Sequence, residues 1–117
     1  MEEVTLSLAT KDKESKDELF KFLKDNLSDG NIKIREMSPE EKPEFSTGFA
    51  PGEFFPFVID TVKDPKVIAA LIGLLASFIN LRSAKISLRK KANVSIELNQ
   101  NITNIEVINK VVKYIVK

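Results

Sequence analysis

With no histidine and no cysteine among its 117 residues, the chain leaves acid–base and ligand chemistry to its carboxylates. Nucleophilic catalysis would need Ser or Thr with Lys as base, and no spacing in the sequence suggests such a pair. Glu40, Glu41 and Glu44 lie in a Pro-rich stretch, and Asp60 and Asp64 flank an element start. A hard divalent cation could use such oxygens, but no calcium-loop spacing is present, so these carboxylates are expected to be solvated and no metal is expected. P-loop, G-x-G-x-x-G and G-x-S-x-G motifs are absent, and the four glycines do not cluster as a phosphate cradle does. Neither an enzyme nor a cofactor is expected.

Two other sets of residues carry binding chemistry. Phe45, Phe49, Phe54, Phe55 and Phe57 share residues 38–57 with Pro39, Pro43, Pro51, Pro56, Gly48 and Gly52. A solvated linker would not hold five phenylalanines. The stretch is expected to fold over the core as a lid or to dock on a partner, with these five rings as the anchors. The second set is cationic: Arg82, Lys85, Arg89, Lys90 and Lys91. Strand parity puts Lys85, Ser87 and Arg89 on one sheet face, where Lys33, Arg35, Thr5, Ser7 and Ser95 could join them along a phosphate backbone. No aromatic falls at an outward position for base stacking, so a solvated sheet face is the plainer expectation.

Charge is divided unevenly. Residues 1–65 carry nine Lys/Arg against fifteen Asp/Glu, a net −6, while residues 66–117 carry nine against two, a net +7. Opposite halves can attract within one domain or between two copies. The triplets Asn26-Leu27-Ser28, Asn93-Val94-Ser95 and Asn101-Ile102-Thr103 match the glycosylation acceptor pattern and are read as chance in an Asn-rich chain. The opening MEEVTLSLAT shows no basic region followed by an apolar run, so no signal peptide is read and a cytoplasmic location is expected.

The elements that must position these residues follow from periodicity. Residues 3–9 alternate, with Val4, Leu6 and Leu8 on one side, which predicts a strand. Ser15-Lys16-Asp17-Glu18 matches a capping box, followed by Leu19, Phe20, Leu23 and Leu27 at helical spacing and by Asp29-Gly30 as a stop. A second strand at 31–35 turns Ile32 and Ile34 inward, giving a βαβ unit or a helix-crossed hairpin. Phe57-Val58-Ile59 is read as the start of a short helix or strand. Asp64-Pro65 starts a helix that should run to Asn80 or Leu81. Strands at 83–89 and 94–98 form a hairpin about Lys90-Lys91-Ala92-Asn93. Thr103-Asn104-Ile105-Glu106 is a second capping box, opening a helix with Ile105, Ile108, Val112 and Ile115 as its stripe, widened by Val111.

The helix at 67–81 dominates the chain: only Gly73, Ser77 and Asn80 interrupt its apolar residues. At ~1.5 Å per residue, fifteen residues span roughly 22 Å, short of a ~30 Å bilayer core. Its surroundings must cover it, whether domain, second copy, partner or, in an oligomer, membrane. Gly73, Ala69, Ala70 and Ala76 would permit close helix packing.

In this order of elements the chain resembles the effector-associated constant component family, small α+β proteins of bacterial conflict systems. The resemblance rests on the strand Val4-Thr5-Leu6-Ser7-Leu8, the helix with Glu18-Leu19-Phe20-Lys21-Phe22-Leu23, the apolar helix Val67–Leu81, the strands Ala84-Lys85-Ile86-Ser87-Leu88 and Val94-Ser95-Ile96-Glu97-Leu98, and a terminal helix. It implies a non-enzymatic accessory that couples a sensing or processing partner to an effector, with no catalytic residues to carry over.

Together these readings predict one α+β domain over residues 1–117, with a single four-stranded sheet, helices on one face and a Phe/Pro-rich loop at about 38–57. The expected function is a non-catalytic adaptor acting through a protein partner or a second copy. A membrane-acting effector using residues 67–81, or a nucleic-acid binder using the cationic set, are the alternatives.

Overall fold

A computed structural model describes residues 2–27, 30–41, 55–91, 94–99, 102 and 104–117. These form five strands, β1 (Glu3–Thr10), β2 (Ile32–Glu36), β3 (Phe55–Val62), β4 (Ile86–Lys91) and β5 (Val94–Leu98), and three helices, α1 (Lys13–Asn26), α2 (Pro65–Arg82) and α3 (Ile105–Val116). The strands make one open sheet in the order β2-β3-β1-β4-β5, every neighbouring pair antiparallel. β1 and β2 therefore run parallel with β3 inserted between them, and β3 and β4 run parallel with β1 between them. The βαβ reading of the first 36 residues holds only in this split form.

The sheet has five strands where the sequence predicts four, the addition being β3. Its alternation is hidden because both of its faces are buried: Phe57 and Ile59 belong to the main core, while Val58 packs with Met37 on the other side. A continuous apolar run cannot be assigned to strand or helix by period alone. Pro56, second in the strand, lowers the strand signal further, since it brings no N–H to the ladder.

Leu6, Leu8, Phe57, Ile59, Ile86 and Leu88 alternate onto the sheet face that meets Leu19 and Leu23 of α1 and Ile68, Leu71, Ile72, Leu75 and Ile79 of α2. α1 starts one turn earlier than the capping box implies. Asp12, not Ser15, is the N-cap, and its carboxylate accepts the Ser15 N–H at 2.7 Å. α2 begins as expected, with Asp64 accepting from Lys66 N at 2.9 Å and Pro65 in the first turn. It runs on to Arg82 and ends at Ser83 in the left-handed region, φ 51°. α3 packs against α2 and is capped by Asn104. Its buried residues are Val111 and Ile115, whereas Ile105, expected on the inward stripe, is 70% exposed.

Candidate functional site

Of the five aromatic anchors, Phe45, Phe49 and Phe54 lie outside the described residues. Phe55 opens β3 opposite Thr10 and is half-buried. Phe57 corrects the expectation: it is wholly buried, edge-on to Phe20 with ring centroids 5.6 Å apart, so its ring belongs to the core and not to a docking surface. Alternation in β3 turns position 57 toward the helices, which the sequence could not show without knowing that β3 exists.

Nor does the cationic set form a strip. Arg89 is 0% exposed, in register with Ser7 of β1, which in turn faces Val58 of β3. This row crosses the middle of the sheet face opposite the helices, and Ser7, Val58 and Arg89 are all buried, so the expected solvated face is not solvated there. Lys90 turns to the C-terminal end of α3, donating from Nζ to the Tyr114 and Lys117 carbonyls at 3.4 and 3.0 Å, where a cation suits the helix dipole. The Lys91 side chain lies outside the described ones. Only Arg82 and Lys85 are exposed together, at the far end of α2.

Two of the carboxylates are held by Arg35 on the open face. Its Nε donates to Asp60 Oδ2 at 2.7 Å, and its two terminal nitrogens bind both oxygens of Glu41 in a fork. Thr5 donates to the other Asp60 oxygen at 2.8 Å, and Ser38 donates to Glu41 from its backbone and its hydroxyl. The Arg35 fork, helped by Ser38, holds the Glu41 carboxyl down to about 2, and the same bonds fix Arg35 more firmly in its charged form. This network ties the turn after β2 to the sheet. Asp64 is the α2 cap, Glu40 is exposed, and Glu44 lies outside the described residues. Among the described residues no three acidic side chains gather as metal ligands would.

What remains is the outward face of α2. Ala69, Ala70, Gly73 and Ser77 are exposed along it, with charges only at Lys66 and Arg82. Ser77 donates its hydroxyl back to the Gly73 carbonyl at 3.1 Å, so even this polar group is satisfied within the helix. A Cβ built on Gly73 would meet nothing within 4 Å. The fold itself therefore does not require glycine there, although glycine costs a helix roughly 1 kcal/mol relative to alanine. Beyond the stripe, Leu81 is 74% exposed. The sequence named the small residues, but Ala76 of that set is buried, and only the structure separates it from the outward three.

No family model matches this chain, and no curated protein or solved structure is significantly similar to it.

Proposed function

We propose that the protein is a non-catalytic interaction module and that it docks through the outward face of α2, with a second copy of itself as the occupant. The observation that carries the reading is the run Ala69, Ala70, Gly73 and Ser77: a side-chain-poor, uncharged helix face in water, with a glycine at its middle that internal packing does not need. Small residues four apart let two helix backbones approach closely. Such a stripe is complementary to itself, as a two-fold dimer requires. Crossing helices meet at their middles and splay at their ends, so Lys66 and Arg82 stay hydrated instead of facing their copies. A stripe this narrow buries less than the ~800 Å² per partner of a standard interface, so weak self-association is expected. The resemblance to accessory proteins of bacterial conflict systems supports the same class of function, coupling between partners without catalysis.

Absence of native cysteine makes the test direct. Proteins carrying Ala69→Cys and Ser77→Cys are oxidised singly and mixed. An antiparallel crossing about Gly73 cross-links the mixture, and a parallel one cross-links each variant to itself. Lys113→Cys on α3 serves as the comparison. Cross-linking no faster than that comparison in every arm overturns the reading.

Membrane insertion is the second reading: α2, with 18 residues and a mean hydropathy of 1.5, meets the length and composition of a crossing helix, although its rise of about 27 Å falls just short of a ~30 Å bilayer core. It would have to withdraw Ile68, Leu71, Ile72, Leu75, Phe78 and Ile79 from the core. Flotation of the intact protein with anionic liposomes distinguishes the two.

A further inference from the structure

The end of α2, the start of α1 and the entry to β4 enclose a cleft of about 300 Å³. Three cations line it, Lys11 from the β1–α1 connection, Arg82 from α2 and Lys85 from the approach to β4, against the single carboxylate of Asp12. That carboxylate already accepts the Ser15 N–H as the α1 cap. Ser83 reverses the chain in the left-handed region, the one non-glycine residue among those described with positive φ, so that Arg82 and Lys85 border the same cleft. The remaining lining is Ser15, Ser83 and Ala84, hydroxyls and one methyl. Like charges on a concave wall repel one another unless they share a counter-ion. The partners they have are long and wet: Arg82 Nε stands 3.4 Å from Glu18, and Lys85 Nζ 4.0 Å from Glu97, with both cations more than half exposed. Exposed pairs of this kind exchange readily for a stronger anion.

The geometry points to a binding site for a small ligand carrying two or more phosphates, held by Arg82, Lys85 and Lys11 with the Ser15 and Ser83 hydroxyls as further donors. Guanidinium matches phosphate oxygens in a fork, and lysine adds point charge. The volume sits at the small end of ligand sites, and the scant apolar lining suits a compact polyanion better than a lipid or an aromatic drug-like molecule. The site is separate from the outward face of α2 and does not depend on the docking reading.

The test is a ¹H–¹⁵N titration of the full chain with pyrophosphate and, separately, with a nucleoside diphosphate, with sodium chloride at matched ionic strength as the comparison. Saturable shifts confined to the amides of Lys11, Ser15, Ser83, Ala84 and Lys85 support the site, and which ligand saturates first shows whether the nucleoside adds contacts. The double variant Arg82→Gln/Lys85→Gln should lose affinity about tenfold or more, while its far-UV spectrum and melting temperature stay close to the parent's because both side chains are exposed. Shifts that rise linearly without saturating, shifts spread equally over Lys21, Lys24, Lys110 and Lys113, or undiminished binding by the double variant would each overturn it.

Discussion

The inward and outward faces of α2 are both almost without charge, and what separates them is bulk. Inward stand Ile68, Leu71, Ile72, Leu75, Phe78 and Ile79, all buried; outward stand Ala69, Ala70, Gly73 and Ser77, all exposed. A surface helix ordinarily marks its wet side with charge. Here the wet side is marked by small residues, exposed on the monomer and of a size that would suit the close approach of another backbone. On the proposed reading one helix serves two surfaces, the larger side chains holding the domain and the smaller ones meeting a second copy.

Substitutions on the two faces should separate these roles. The largest effect is expected from Leu75→Ala, which opens a cavity against the sheet and should destabilise the fold by roughly 3 kcal/mol in urea unfolding. A loss under about 1 kcal/mol would mean the inward face is not a packed core. An intermediate effect comes from the open side of the sheet. Glu41→Gln breaks the Arg35 fork, and after allowance for solvent screening it should cost about 1–2 kcal/mol at neutral pH. The sign follows from linkage: the Glu41 pKa is depressed from 4.5 to about 2, so the contribution is complete above about 4.5 and lost as pH falls through about 2. Parent and variant should therefore converge in stability in acid. Asp64→Ala removes the α2 cap and should cost about 1 kcal/mol, read from thermal melts. The smallest effect is of opposite sign. Gly73→Ala should stabilise the monomer by up to about 1 kcal/mol, because nothing stands within 4 Å of the added methyl. Destabilisation by that change would show the outward face to be packed already.

Much of this architecture is legible locally. Asp64 and Pro65 fix the start of α2, and the alternation of Val4, Leu6 and Leu8 or of Ile32 and Ile34 gives β1 and β2 directly. Local signals fail where two candidates compete or where burial comes from afar. Asp12 and Ser15 are both of a type that caps helices, and Asp12, one turn earlier, takes the cap by accepting the Ser15 N–H. Ile105 fits the stripe of α3 but is the first residue of the helix and stays 70% exposed. Arg89 lies on the sheet face opposite the helices, as its parity implies, yet its full burial is a tertiary property that parity does not carry. The cationic cleft joins Lys11 and Ser15 to Arg82 and Lys85, so it exists only once β4 is laid beside β1.

The most direct measurement is sedimentation equilibrium of the native chain and of Gly73→Glu from micromolar to millimolar concentration. Position 73 has room for a side chain, so the variant should keep its far-UV spectrum and its melting behaviour. A native chain that shifts reversibly from monomer toward dimer, beside a variant that stays monomeric throughout, is the predicted result. A native chain that remains monomeric at every concentration, or a variant that dimerises equally well, would contradict the assignment of the outward face of α2 as the docking surface.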